Sequence, residues 1–254
     1  MKIESYAKIN WALRITGKRT DGFHDLETVF QTISLHDTLT FTPSDRFALT
    51  CSDPTIPVDD SNLVLRAARA VDASPHAIHI EKHIPAGGGL GGGSSNAATT
   101  LRALSRDRDD LTSSALQLGS DVPFFLVNGT AYATGRGEVL TPMAPMRDIA
   151  LLLLLPEDRV LTKDAFARIT RYSPALGIDA YRDFANFTND FEEPVFAMLP
   201  RLRTLKQRLL DGGATWAGMS GSGSTIVGAY ENAAARDRAA ASFNDVRVER
   251  CTTV

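Results

Sequence analysis

The sequence predicts an α+β protein of two lobes, and three observations carry that reading. The chain has 254 residues, above the usual one-domain range of roughly 100–200 residues. Runs with strand periodicity and runs with helical periodicity are mixed without the strict alternation that a parallel α/β sheet requires. Apolar residues make 43% and charged residues 22% of the chain, which suits a sizeable core and excludes a disordered polypeptide. A composition shift near Pro142 and Pro145 places the boundary between an N-terminal lobe, residues 1–145, and a C-terminal lobe, residues 146–254.

In chain order, Ile9, Trp11, Leu13 and Ile15 alternate with Lys8, Asn10, Ala12 and Arg14, a half-buried strand from Lys8 to Thr16 whose second face is polar. Gly17 to Gly22 is a polar turn, and Val29, Gln31, Ile33, Leu35, Leu39 and Phe41 predict further strands, as do Phe47, Leu49 and Cys51. Leu63, Ala67, Ala68 and Val71 keep helical spacing, with Ser61 a candidate N-cap. Ile78, Ile80, Lys82 and Ile84 share one face of a strand. After Pro85 and Ala86 a glycine run leads into a helix that starts at Ser94, so the order is strand, loop, helix. Ser105 to Asp110 is a polar connection, and a short helix ends near Gly119. Ile149 to Leu155 reads as a fully buried strand stopped by Pro156. Helices follow at Lys163 to Ile169 and Pro194 to Leu210, then strand, loop, strand from Thr215 to Tyr230, an Ala/Arg helix and a last strand from Val246 to Arg250.

Charge narrows the function. Twenty-seven basic against 30 acidic side chains give −3, so no global field draws the protein to nucleic acid or to an anionic membrane, and phosphate must be held locally. Cys51 and Cys251 are isolated and the five histidines lack metal-ligand spacing, so no zinc site, other metal site or disulfide framework is expected. The longest apolar run, Ile149 to Leu155, is far below the roughly 20 residues that span a bilayer. A cytoplasmic location is expected.

Six of the 19 glycines fall between Gly87 and Gly93, and five more between Gly212 and Gly223. The run Gly87, Gly88, Gly89, Leu90, Gly91, Gly92, Gly93 raises the entropic cost of ordering the chain. What it offers in return is backbone N–H groups that approach an anion without a β-carbon in the way, at the positive end of a helix. A di- or triphosphate is the natural guest. The run is no P-loop, since Ser94 stands where lysine is needed, and no dinucleotide fingerprint, since no acidic residue closes a second strand. The second cluster, Gly218-Met219-Ser220-Gly221-Ser222-Gly223-Ser224, holds more glycine and serine than a hairpin turn needs. It is either an elaborate turn or a surface facing the first loop.

Three charged residues stay ambiguous on spacing alone. Asp121, between Gly119 and the Val122-Pro123-Phe124-Phe125 segment, is either a turn residue or a partly desolvated base for a hydroxyl. Lys8, on one face with Asn10, is either solvated or functional. Lys82, among isoleucines, either reaches water or meets an anion near the glycine loop.

Taken together, the segments Ala7 to Asn10 (AKIN), Thr16 to Phe30 (TGKRTDGFHDLETVF), Ile84 to Ala98 (IPAGGGLGGGSSNAA), Leu118 to Phe125 (LGSDVPFF) and Gly218 to Ser224 (GMSGSGS) resemble the 4-diphosphocytidyl-2-C-methyl-D-erythritol kinase family of the GHMP kinase superfamily. The glycine loop alone reaches only the superfamily; the segment after Thr16 narrows it. The resemblance implies a two-lobed GHMP-kinase-like fold with ATP and substrate in the cleft between lobes. It implies ATP-dependent phosphorylation of the 2-hydroxyl of a CDP-linked tetritol in the non-mevalonate isoprenoid pathway. Pro85, Ala86, Gly87 to Gly93, Ser94 and Ser95 would hold the ATP phosphates, with Asn62 and Lys82 near the nucleoside. Asp121 matches the family's base and Lys8 its partner, which would keep the carboxylate ionised and offset charge at the transferred phosphoryl group. Mg²⁺ carried on the ATP phosphates would supply most of the counter-charge. Phe23, His24, Phe30 and Phe166 match the cytidine site, and Asn10 lies near the substrate's polar groups. The chain departs from the family in having Phe23 where tyrosine is usual, and in a short polar segment between Leu104 and Gly119. The expected partner is this small molecule, with no nucleic acid or membrane, and the protein is expected to be a monomer or weak homodimer.

Overall fold

The structure, a computed structural model, describes residues 1–105 and 111–254; most of the polar connection read at Ser105 to Asp110 lies outside the described residues. The chain divides into two compact units, one formed by Met1–Ala7, Leu35–Ala86 and Gly91–Asn128, the other by Lys8–Ser34, Gly87–Leu90 and Gly129–Val254. This division is threaded, whereas the sequence places one boundary near residue 145. The reason is strand length: β1 (Lys2–Lys18) and β2 (His24–Pro43) pair with each other, and each contributes residues to both units. Apolar side chains continue without a break-forming residue along Val29, Ile33, Leu39 and Phe41, so what reads as several strands forms one.

In the first unit the end of β2 pairs antiparallel with β4 (His76–Glu81), Thr38 opposite Glu81, and β4 pairs parallel with β3 (Ala48–Cys51). Leu39, Phe41, Leu49, Ile78 and Ile80 are buried. Among the described residues four helices complete the unit: α1 (Leu63–Ala70), α2 (Gly92–Leu104), α3 (Thr112–Leu118) and α4 (Phe124–Val127). The N-cap of α1 is Asn62 rather than Ser61, its side chain accepting from the Val64 N–H at 2.9 Å. Ser61 is taken up instead by Asp59, which accepts from its amide and hydroxyl. β4 stops at Glu81, before Lys82 and Ile84. α2 begins two residues earlier than the sequence suggests, because Gly91 adopts a left-handed φ of 69° that turns the chain into the helix.

In the second unit the start of β2 pairs antiparallel with β5 (Thr130–Thr134), and β5 with β6 (Val139–Pro142). Neither β5 nor β6 is legible in the sequence: Thr130-Ala-Tyr-Ala-Thr134 has little apolar contrast, and β6 is largely exposed. A second, antiparallel sheet runs β10-β7-β9-β8, with β7 at Ala150–Leu155, β8 at Trp216–Met219, β9 at Ile226–Tyr230 and β10 at Arg247–Thr252. Every residue of β7 is buried, as its continuous apolar run predicts. Leu152 and Leu154 pack into a core with Leu205 and Leu209 of α7 (Pro200–Asp211) and Ala239 and Ala240 of α8 (Ala233–Ala240). α5 spans Thr162–Ala167. The single helix expected from Pro194 to Leu210 is two, α6 (Glu192–Met198) and α7, because Leu199 leaves helical geometry ahead of Pro200, which starts the next helix.

Leu152 is fully buried at the centre of this sheet. Leu152→Ala is expected to lower unfolding free energy by about 2–5 kcal/mol, measured by urea denaturation; a loss below about 1 kcal/mol would contradict the packing described.

Candidate active site

The site is built from the two glycine clusters and from strand β1. Within the second unit, Gly89 has φ +77° and a β-carbon there would lie 2.1 Å from the Ser220 carbonyl oxygen, so only glycine fits. The Ser220 hydroxyl donates to the Gly89 carbonyl at 2.9 Å and accepts from the Asn10 amide at 3.3 Å. The Lys8 amide donates to the Leu90 carbonyl at 3.0 Å. The second cluster is therefore more than a turn: its backbone and one hydroxyl lie directly on Gly89.

The second loop is held from behind. Asn189 donates through Nδ2 to the carbonyls of Met219 (2.7 Å) and Gly221 (2.8 Å). Glu192 accepts from the Met219 amide at 2.9 Å and from Lys206 Nζ at 2.6 Å. The preceding residues are fastened to β1, where the Leu13 amide donates to the Thr188 carbonyl at 2.8 Å and the Ile15 amide to Asp190 at 2.7 Å. Asn189, Asp190 and Glu192 carry no periodicity or recognised spacing, which is why sequence reasoning passes over them.

The polar face of β1 is buried, a correction to the half-buried strand expected from alternation. Lys8 is 4% exposed, its Nζ donating to Asn10 Oδ1 at 2.6 Å and lying 5.2 Å from the centre of the Phe30 ring. Asn10 donates in turn to Thr28, whose hydroxyl donates to the Ala12 carbonyl. Lys8 is thus a desolvated cation and not a solvated surface lysine, and Phe30 lies against it.

The remaining rings gather elsewhere in the same unit. His24 stacks on Phe166, ring centres 4.7 Å apart, with Tyr172 at 6.3 Å from His24. Phe166 meets Phe191 edge-on. Burial first, and the charge of Lys18 second, hold His24 below its ordinary pKa, so at neutral pH the imidazole is uncharged and can both donate and accept. Phe23 is 51% exposed with the Arg136 guanidinium over its ring at 4.6 Å.

In the first unit, Lys82 meets an anion supplied by the protein itself. Its Nζ lies 2.5 Å from buried Asp37, which also accepts from the amides of His83 and Ile84 and from Asn96 Nδ2. This carboxylate fixes the chain just before Pro85 and Ala86, both half-buried. A β-carbon at Gly92 would lie 2.8 Å from Lys82 Nζ and 2.9 Å from Ile84, so the helix start packs tightly on that ion pair. Ser95 is buried, donating to the Tyr6 carbonyl and bonded to Ser5, while Ser94 is half-buried and Gly93 exposed. The Asn62 side chain is engaged in capping α1 and donates to the Pro57 carbonyl at 2.6 Å. Asp121 is half-buried in the turn between α3 and α4, where the Val122 amide donates to the Gly119 carbonyl. The structure therefore gathers Lys8, Asn10, Phe30, Gly89 and Leu90 in one unit with a separate His24–Phe166 pair, and Lys82, Gly92 and Ser95 in the other.

Residues 62–129 match the profile of the GHMP kinases N terminal domain and residues 174–247 that of the GHMP kinases C terminal. These matches, with the glycine loop leading into α2, define a small-molecule kinase of the GHMP class. The chain is 42% identical to the 4-diphosphocytidyl-2-C-methyl-D-erythritol kinase of Prosthecochloris aestuarii, covering 94% of this chain and 92% of the relative. It is 39% identical to the kinase of that name from Protochlamydia amoebophila, over 89% and 83%. A crystal structure of 4-(cytidine 5'-diphospho)-2C-methyl-D-erythritol kinase superposes with a TM-score of 0.88 at 33% identity, covering 100% of this chain and 99% of that one. Methanococcus jannaschii mevalonate kinase, at 17% identity and a TM-score of 0.69, shares the fold. The chain belongs to the 4-diphosphocytidyl-2-C-methyl-D-erythritol kinase family.

Asn189→Ala strips the Met219 and Gly221 carbonyls of their shared donor. It is expected to lower unfolding free energy by about 1–3 kcal/mol, read by urea denaturation, and to weaken ATP binding in calorimetry. Unchanged stability would place the anchoring of this loop elsewhere.

Proposed function

We propose that the protein transfers the γ-phosphoryl group of ATP to the 2-hydroxyl of 4-diphosphocytidyl-2-C-methyl-D-erythritol, a step of the non-mevalonate route to isoprenoid precursors. The observation that carries the substrate is the likeness to kinases of that name along nearly the whole chain. Phosphoryl transfer asks mainly for positioning and for charge placed where the transition state needs it. The glycine loop suits ATP on both counts, since Gly87, Gly89 and Gly91 have positive φ and the loop ends on the positive end of the 13-residue helix α2. Lys8 supplies fixed positive charge to the transferred group, oriented by Asn10 and supported beneath by Phe30. Asp121 accepts the proton of the substrate hydroxyl or orients that hydroxyl for attack. His24 and Phe166 take the cytosine by stacking, with the uncharged imidazole reading its edge, and Phe23, steadied by Arg136, adds a further exposed face.

Mg²⁺ enters with ATP in this scheme. Among the described residues no group of three or more His, Cys, Asp or Glu side chains could hold a metal ion, and the amides and hydroxyls of the loop are suited to an anion. Bound to the phosphates, Mg²⁺ would supply counter-charge there. Among the described residues no helix is long and apolar enough to cross a membrane. The two free cysteines, Cys51 and Cys251, fit a reducing compartment, and on that ground we place the enzyme in the cytoplasm.

ADP release followed with the cytidylated substrate, mevalonate and homoserine tests the assignment: turnover is expected with the first, and faster turnover with either of the others would overturn it. Asp121→Asn is expected to lower kcat by about 10²–10⁴-fold while ATP affinity stays close to that of the wild type. Wild-type turnover in that variant would remove Asp121 from the mechanism.

A further inference from the structure

Glu27 lies three residues after His24 on β2 and is 4% exposed, yet its carboxylate collects four donors. Oε1 accepts from the Tyr132 hydroxyl and, at 2.9 Å, from the Gly177 amide. Oε2 accepts at 2.7 Å from the Leu176 amide and at 3.3 Å from the Tyr181 hydroxyl. Burial pushes the carboxyl pKa up, but the bonds from Tyr132, Leu176, Gly177 and Tyr181 together outweigh it, so the group titrates below the usual carboxylate range. The stabilisation it provides is therefore present above that range and is lost as pH falls through the lowered value. Burial and the adjacent carboxylate raise both phenols, which remain donors at any physiological pH.

Two of these donors are consecutive amides of a segment, residues 172–177, that has no regular structure of its own. Such a segment keeps one conformation only where its backbone groups are fastened. Ser173 is tied to the Ile15 carbonyl at 2.9 Å, and Glu27 ties Leu176 and Gly177. At the head of the segment stands Tyr172, 6.3 Å from His24, which stacks on Phe166. The carboxylate thus fastens one end of the segment, and the imidazole, three residues earlier on the same strand, lies beside the ring at its other end.

We propose that Glu27 is a positioning residue for the nucleobase of the substrate: by clamping Leu176 and Gly177 it sets Tyr172 beside His24, and Tyr172 forms a third ring of the base-binding site. The proposal rests on the reading of His24 and Phe166 as the cytidine site. Glu27 touches no substrate atom and acts through the loop alone.

Glu27→Gln keeps the size of the side chain and turns one acceptor into a donor that faces other donors. Steady-state kinetics are expected to show KM for the cytidylated substrate raised about tenfold, with kcat and KM for ATP within about twofold of wild type. Tyr172→Ala should do the same, and the double variant should be no worse than the more affected single one, because both changes break one chain of contacts. A Glu27→Gln protein with a lowered melting temperature and unchanged KM, or additive effects in the double variant, would overturn the proposal. If wild-type protein fails to turn over the cytidylated substrate, the functional assignment falls separately, and calorimetric titration with cytidine diphosphate decides on Glu27. Weaker binding to Glu27→Gln than to wild type supports it; equal binding, or none to either, overturns it.

Discussion

The candidate site depends on a backbone contact that admits no side chain. The Ser220 carbonyl occupies the place where residue 89 would carry a β-carbon, and Gly89 holds a left-handed φ that other residues avoid. Because the contact is between main chains, the Ser220 hydroxyl can reach the Gly89 carbonyl on one side and the Asn10 amide on the other. Asn10 is the residue against which Lys8 is oriented. Gly89 is thus joined to the buried Lys8 ammonium by three contacts in series, through Ser220 and Asn10. The entropic cost of so much glycine is offset by anchors outside the loops, Asn189 and Glu192 behind the second and the Lys8 amide, which donates to the Leu90 carbonyl of the first.

Two buried carboxylates on β2 do similar structural work, each within its own unit. Asp37 gathers Lys82, Asn96 and the amides of His83 and Ile84, and so orders the chain that enters the glycine loop. Glu27 gathers two phenols and two amides and orders the chain that follows Tyr172. Each of these groups would be costly to bury alone and is stabilising because four donors meet it. Irregular chain is fixed in this protein by carboxylates on a long regular strand, a division of labour that leaves the loops free to carry glycine and serine.

Much of the architecture was legible in the sequence because its signals are local. The all-apolar run of β7, the strand-loop-helix order around Gly87 to Gly93 and the glycine-serine cluster after β8 all stand where periodicity and turn chemistry place them. The errors have physical causes too. Alternation in Lys8 to Arg14 signals one wet face, but both faces of β1 are buried there, so Lys8 and Asn10 lie among protein atoms. Helical spacing continues through Leu199, but Pro200 cannot continue the preceding helix. Asp37 and Glu27 sit at ordinary strand positions, and nothing local distinguishes a buried carboxylate with four donors from one that faces water. Their meaning depends on residues 45 to 154 positions away, which pattern reading along the chain does not connect.

We propose that the Gly89–Ser220 backbone contact shapes the ATP site. Its most direct test is calorimetric titration of ATP into wild type and Gly89→Ala, with Gly129→Ala as a control that shares the φ of +77° but has open space around a β-carbon. Circular dichroism would verify that all three proteins are folded. ATP affinity is expected to weaken at least about tenfold in Gly89→Ala, equivalent to about 1.4 kcal/mol, and to stay unchanged in Gly129→Ala. Wild-type ATP affinity in a folded Gly89→Ala protein would contradict it.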